Sequence, residues 1–159
     1  PGHALAHRAF EQGITIAEKI AGADPKPVID DTVPQVVFSF PEAASVGLTL
    51  DQAKAREDVV EPKETAYPML SNARMLMSGE GGSMTVVSGA FANNPDMQVV
   101  LGVHIVSPIA SDLIAEAEQL VGNRVPLADA ARLIHPHPTF SETLGEALLK
   151  ADGRPLHTR

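Results

Sequence analysis

The chain has 159 residues, 44% of them hydrophobic and 20% charged, which is enough for one full domain plus a short extra segment. Its formal net charge of −8 disfavours a nucleic-acid-binding surface, and no apolar stretch approaches the roughly 20 residues that span a bilayer. The chain has no cysteine, which excludes disulfide bonds, thiolate metal sites and a cysteine nucleophile within it.

The N-terminal part is predicted to be a helix followed by a linker. Apolar residues recur at three- and four-residue steps across residues 5–21, which predicts a helix with one apolar face. Residues 23–34 contain three prolines and no periodicity, which is typical of a linker. We therefore predict a short N-terminal segment, residues 1–24, and a main domain, residues 25–159.

The middle of the chain is predicted to be rich in strands. Runs of β-branched and aromatic residues predict strands at residues 35–40, 45–47, 64–70, 84–89 and 97–106. Thr49 and Gln52 have the spacing of a capping box, which predicts the start of a short helix. Pro68 indicates an edge strand or a bulge. Residues 71–78 fit a helical turn or a strand, and the turn-forming residues at 92–96 predict a long hairpin loop.

The C-terminal part is predicted to be helical. Apolar residues along one face predict a helix at 108–122, and shorter helices are predicted at 127–133 and 139–150. Strands followed by helices indicate an α+β fold, with an antiparallel sheet and helices packed on one side. His104 lies in an apolar strand, and we interpret it as a hydrogen-bonded core or interface residue.

The run from His135 to Glu142 carries the strongest chemical signal. His137 lies between two prolines, which restrict the backbone around it and favour a stiff loop. A rigid imidazole suits a general base, and a carboxylate such as Glu142 could orient it. The same residues also have the spacing of a capping box, in which Thr139 caps the last helix and the Glu142 side chain reaches back to the Thr139 backbone. The two interpretations are compatible.

This run resembles the C-terminal signature of the flavin-dependent pyridine nucleotide–disulfide oxidoreductases, and is most similar to that of the dihydrolipoamide dehydrogenases. Three further segments match in the order in which the family has them, at residues 5–13, 36–49 and 101–106. The resemblance therefore covers nearly the whole chain. It implies a C-terminal fragment of a flavoenzyme, with residues 1–24 ending an FAD-binding domain and residues 25–159 forming the dimerisation domain.

The resemblance also implies roles for individual residues. His137 would be the acid/base and Glu142 its orienting carboxylate, acting on a dithiol at the redox disulfide of the partner subunit, with a cis His137–Pro138 bond. Residues at the start of the first helix would hold the flavin ring through backbone groups. The predicted cofactor-binding set is Ala4, Leu5, Ala6, His7, His137 and Pro138.

The family implies FAD and NAD, bound mainly by domains outside this chain, and a cytoplasmic homodimer. In complexes that oxidise 2-oxo acids, it also implies a small domain of the acyltransferase subunit as a further partner. We expect no nucleic acid or membrane partner.

Three alternatives remain open. One is a related disulfide reductase or a flavin transhydrogenase of the same family. Another is a non-catalytic association module. The third is a metal site on His135, His137 and Glu142, with a further ligand from His3, His7 or His157. We predict no metal, because no recognised ligand spacing completes this site.

Overall fold

A five-stranded antiparallel sheet forms the centre of the computed structural model, which describes residues 2–158. Its strands are β1 (Gln35–Val37), β2 (Glu42–Gly47), β3 (Val59–Pro68), β4 (Ser83–Phe91) and β5 (Asn94–Ser107). They lie in the order β1-β2-β5-β4-β3, so β2, β5 and β4 are interior and β1 and β3 are the edges. The predicted α+β class and antiparallel sheet are confirmed.

Six α-helices accompany the sheet in the described residues. They are α1 (Ala6–Ile20), α2 (Leu50–Ala55), α3 (Ala73–Ser78), α4 (Ala110–Gly122), α5 (Leu127–Ala130) and α6 (Glu142–Ala151). The capping box predicted at α2 is present, with the Thr49 hydroxyl accepting from the Gln52 N–H and the Gln52 side chain accepting from the Thr49 N–H. None of these helices is long and apolar enough to cross a membrane.

The main core lies between one face of the sheet and helices α4 and α6. Helix α4 packs on β2 and β5, and α6 packs on β3 and β4. Val86 belongs to this core, whereas its neighbour Val87 belongs to a smaller cluster with Ala53 of α2. Because successive strand residues point to opposite faces, α2 covers the other side of the sheet. Helices α4 and α6 thus share one face, as predicted, and the short α2 does not.

Several predicted boundaries change. β1 ends at Val37 rather than at residue 40, β2 starts at Glu42, and β3 begins at Val59 and continues through a register shift between Val60 and Lys63. Pro68 ends this strand at the sheet edge, as its missing N–H favours. The ambiguous residues 71–78 include helix α3.

The predicted long hairpin loop at 92–96 is wrong. Phe91 pairs directly with Asn94, so only two residues separate β4 from β5. The turn-forming Pro95 is tolerated within β5 because β2 pairs with β5 only from Gly102 onward. The start of β5 therefore has one open edge, where a residue without an N–H costs no ladder hydrogen bond.

Helix α1 stands apart from the core. It has no buried residue, and its apolar side chains Phe10, Ile14 and Ile20 are exposed. It is attached to the residues before β1 by an Arg8–Asp30 ion pair of 2.7 Å and by a 2.7 Å hydrogen bond from the His7 ring to the Pro34 carbonyl. An amphipathic helix with an uncovered apolar face suits the predicted separate segment 1–24, whose domain assignment stays a prediction.

We predict that Gly102→Ala destabilises the fold by about 2 kcal/mol or more, in the range of overpacked cores. A Cβ at position 102 would lie 2.2 Å from the Leu48 carbonyl oxygen, where β5 passes the chain after β2. Urea unfolding followed by circular dichroism measures the change. Gly13→Ala is the control, because nothing lies within 4 Å of its added Cβ. Equal stability of the two variants would contradict this packing.

Candidate active site

His137 and Glu142 form a direct hydrogen bond at the start of α6. The His137 Nδ1 atom lies 2.8 Å from Glu142 Oε1. The two side chains differ in exposure, with 69% for the imidazole and 19% for the carboxylate. A half-buried carboxylate therefore holds an imidazole that projects into solvent.

The turn that carries His137 is closed by its own side chains. The Thr139 hydroxyl donates to the Pro136 carbonyl at 2.6 Å, and the Thr139 N–H donates to Glu142 Oε2 at 2.7 Å. The His137–Pro138 bond is cis, as the resemblance implies. The hydrogen bond between Thr139 and Pro136 thus closes the turn on both sides of His137 and Pro138.

The capping box predicted at α6 is only half formed. Glu142 reaches back to the Thr139 N–H, but the Thr139 hydroxyl does not cap the helix. The N-cap residue is Ser141, with no side-chain capping bond. The hydroxyl of Thr139 instead closes the turn around His137, so α6 begins three residues later than predicted.

The hydrogen-bond pattern defines the tautomer of His137. Burial raises the pKa of the Glu142 carboxyl, but the Thr139 N–H, the His137 hydrogen bond and the charges of His137 and His135 outweigh it and lower that pKa. The carboxylate is therefore ionised at neutral pH and accepts from His137 Nδ1–H. Neutral His137 then carries its free lone pair on Nε2, the atom that a general base needs.

His135 takes a different partner. Its Nε2 lies 2.7 Å from Glu116 Oε1, and its side chain is 9% exposed. The ring packs so closely against α6 that a Cβ at Gly145 would lie 2.6 Å from its Nδ1. His135 therefore links α4 to α6 directly before the His137 turn. Spacing along the sequence gave no signal for Glu116, which is 19 residues away.

A second imidazole–carboxylate pair lies one turn further along α6. Glu146 Oε1 is 2.7 Å from His157 Nδ1, and Glu146 Oε2 accepts from the His157 N–H at 3.2 Å. Burial, followed by the charges of Glu146 and Glu142, raises the pKa of the fully buried Tyr67 to about 12, which keeps its hydroxyl neutral. The four-residue spacing of the two glutamates indicates a shared helix face, but nothing local predicts the pairing with His157.

Both His–Glu pairs line one small cleft of about 140 Å³. Its opposite wall comes from the residues before and within α3, including Asn72 and Leu76. The cleft therefore joins the C-terminal turn, helix α6 and the start of α3. Sequence reasoning identified His137 and Glu142 in it, named His157 only as a possible metal ligand, and missed the other members.

The proposed metal ligands are not brought together. His135 and His137 are held by different carboxylates, and His157 by a third. Among residues 2–158, no group of three or more His, Cys, Asp or Glu side chains could hold a metal ion. His104 behaves as interpreted, being half-buried with its Nε2 3.1 Å from the Leu48 carbonyl oxygen.

The predicted flavin-contacting residues at the N-terminus occupy a separate groove. Ala4, Leu5 and Ala6 line an open groove of about 530 Å³ where α1 begins. No side chain caps this helix, whose first N–H groups lack intrahelical partners. The His7 ring is engaged with Pro34, which leaves its backbone for contacts. This groove is separate from the cleft that contains His137.

These features define an α+β domain with a hydrogen-bonded imidazole–carboxylate pair on a closed C-terminal turn. The profile of the pyridine nucleotide-disulphide oxidoreductase dimerisation domain matches residues 33–148. This match covers more than half of the chain, and the chain belongs to that family.

Similar sequences are named dihydrolipoyl dehydrogenase. One from Bacillus subtilis is 40% identical over 157 residues, covering 98% of this chain and 32% of the relative. One from Cupriavidus necator is 41% identical over 158 residues, covering 98% of this chain and 31% of the relative. The chain thus spans about a third of the length of these relatives.

Solved structures agree with the fold. LpdA from Mycobacterium tuberculosis matches with a TM-score of 0.81 and 29% identity, over 92% of this chain and 31% of LpdA. The HOCl-induced flavoprotein disulfide reductase RclA from Escherichia coli matches with a TM-score of 0.77 and 20% identity, over 92% of this chain and 33% of RclA. At that identity, the second match supports the architecture alone.

We predict that the His135–Glu116 pair makes stability depend on pH. The Glu116 hydrogen bond raises the pKa of His135, against the opposing effect of burial. Because the folded-state pKa lies above the unfolded value of about 6.5, the stabilisation is complete below that pH and is lost as the pH rises through the folded-state pKa. Melting temperatures measured on both sides of this range should fall at the alkaline end.

Glu116→Gln should remove this pH-dependent part, because a neutral amide cannot favour the imidazolium. Glu118→Gln is the matched control on the same helix, since Glu118 contacts Gln119 and not His135. If the melting temperatures of the wild-type protein and of Glu116→Gln depend on pH in the same way, the His135–Glu116 pair is not the cause of that dependence.

Proposed function

We propose that this chain supplies the acid–base pair His137–Glu142 of a dihydrolipoamide dehydrogenase, as the dimerisation part of a larger flavoenzyme. The observation that carries the proposal is the orientation of His137, whose Nδ1 is bound to Glu142 while the ring is 69% exposed. A fixed imidazole with an accessible Nε2 is suited to take a proton from a substrate thiol. The relatives' names give the reaction class.

The proton transfer follows from this geometry. His137 Nε2 accepts the proton of one substrate thiol, and the imidazolium is stabilised by the ionised Glu142. The resulting thiolate attacks a disulfide sulfur, forming one S–S bond and releasing the other sulfur as a thiolate. The second substrate thiol then attacks the substrate sulfur of this mixed disulfide, which closes the product disulfide and releases the remaining disulfide sulfur as a thiolate. That thiolate takes the proton of the second thiol, while His137 keeps the first proton until the reduced disulfide is reoxidised. Proton transfer by a positioned side chain contributes typically 10²–10⁴-fold to the rate.

The disulfide must come from outside this chain, which has no cysteine. In the proposed enzyme, FAD and NAD held by other parts of the protein would supply the redox chemistry that reoxidises the disulfide. Ala4, Leu5 and Ala6, which line the groove, and the adjoining His7 would contribute backbone N–H groups to the flavin, and His137 and Pro138 would lie beside the flavin of the other subunit. The uncapped start of α1 is favourable to an electron-rich ring because the helix dipole makes it partly positive.

We propose a homodimer in which the His137 turn faces the partner. Large apolar side chains are exposed in the cleft wall and close to it along the chain: Leu76 at 63% lines the cleft, its neighbour Met77 is 68% exposed, and Ile134, three residues before His137, is 97% exposed. A contact surface there would cover His137 and exclude water from the reaction. The cytoplasmic location and the acyltransferase partner stay predictions.

His137→Gln should reduce dihydrolipoamide oxidation by about 10²- to 10⁴-fold, because the amide cannot accept the thiol proton. Glu142→Gln should cause a smaller loss, since it keeps the imidazole but removes the negative charge and one of the two acceptor oxygens that hold His137 Nδ1 and the Thr139 N–H. Steady-state rates of the complete flavoenzyme, with dihydrolipoamide and NAD as substrates, measure both effects.

NADH oxidation by ferricyanide is the control reaction, because it needs no dithiol base and should be unchanged in both variants. Sedimentation should show that both variants form the same dimer as the wild-type enzyme. Full dihydrolipoamide turnover in His137→Gln would instead favour the association-module alternative. A rate preference for another disulfide substrate would favour a related reductase.

A further inference from the structure

The Asn72 side chain makes two contacts that join distant parts of the chain. Its Oδ1 accepts from the Met75 N–H at 3.1 Å, which caps helix α3. Its Nδ2 donates to the Thr139 carbonyl at 3.1 Å, across 67 residues of sequence. Asn72 is only 5% exposed, so both contacts are shielded from solvent.

Thr139 is therefore held on both of its backbone polar groups by side chains. Glu142 Oε2 accepts from its N–H at 2.7 Å, and Asn72 donates to its carbonyl. Glu142 uses its other oxygen for His137. Displacing Thr139 would move the Glu142 contact and the turn that carries the imidazole together.

A second contact connects the same two elements. The Arg74 guanidinium lies over the Phe140 ring, 5.4 Å from its centroid. Cation–π contacts of this length are favourable but not directional enough to fix a backbone group. The start of α3 thus lies against residues 139–140, and Asn72 provides the directional bond between them.

We propose that Asn72 is a positioning residue for the general base His137. Its amide fixes the Thr139 carbonyl, and this keeps the His137 turn and Glu142 in the arrangement that aims Nε2 at the substrate. Asn72 also lines the cleft that contains His137 and Glu142. The inference rests on the proposed function, because it gives Asn72 a role in the same proton transfer.

The two contacts of Asn72 can be separated by substitution. Asp keeps a side-chain oxygen for the Met75 N–H and loses the donor to Thr139. Ser also provides a good N-cap, but it is too short to replace the amide. Asn72→Asp and Asn72→Ser should therefore leave α3 capped and release the turn.

Both variants should lower kcat for dihydrolipoamide by about ten- to a hundredfold in the complete flavoenzyme, the scale of a small misplacement of a catalytic group. KM should change little, because no substrate contact is removed. NADH oxidation by ferricyanide should stay at the wild-type rate. Ser78→Ala is the matched control, since it removes the 2.9 Å bond from Ser78 to the Met75 carbonyl at the other end of α3.

A double-mutant cycle distinguishes positioning from a general structural role. In a His137→Gln background, Asn72→Ser should cause no further loss, because there is no base left to position. Wild-type kcat in both Asn72 variants, or an equal loss with and without His137, would overturn the proposal. If one of the two Asn72 variants loses its flavin and cannot be assayed, the other variant alone is sufficient for this test. Wild-type turnover in His137→Gln would refute the proposed function itself.

Discussion

The Glu142 carboxylate is the interaction on which the candidate site depends. One oxygen accepts from His137 Nδ1 and the other from the Thr139 N–H, so a single side chain fixes both the imidazole and the backbone that carries it. An ionised carboxylate can hold two donors at once, whereas a protonated one would lose an acceptor position. The lowered pKa of Glu142 therefore has a structural as well as an electrostatic consequence.

Helix α6 organises the three histidines of the C-terminal region. Its residues 142 and 146 hold His137 and His157, and Gly145 leaves the space that the ring of His135 fills. Because α6 packs on β3 and β4, the partners of these histidines are held in place by the core of the sheet. A base that must meet a reactive group on another molecule benefits from such support, since small misplacements are costly.

The reaction proposed for this site uses a disulfide that this chain, which has no cysteine, would receive from another part of the enzyme. Apolar side chains next to the His137 turn and along α1 are exposed, among them Ile134, Phe10 and Ile20. These exposed apolar side chains make the two surfaces suited to contact with further protein.

The sequence by itself determined what short-range chemistry controls. Apolar periodicity located α1 and α4, the Thr49–Gln52 spacing identified a capping box, and the prolines around His137 marked a stiff turn. Only the tertiary structure decided which partners the long-range packing supplies: Glu116 for His135, His157 for Glu146 and Asn72 for Thr139. These pairs are separated by 11 to 67 residues, and their contacts exist only after α4 and α6 have packed on the sheet and the start of α3 has met the C-terminal turn. Sequence spacing was also insufficient for the Thr139 hydroxyl, only three residues from its partner. The folded turn brings the Pro136 carbonyl within reach, so the hydroxyl closes that turn instead of capping a helix.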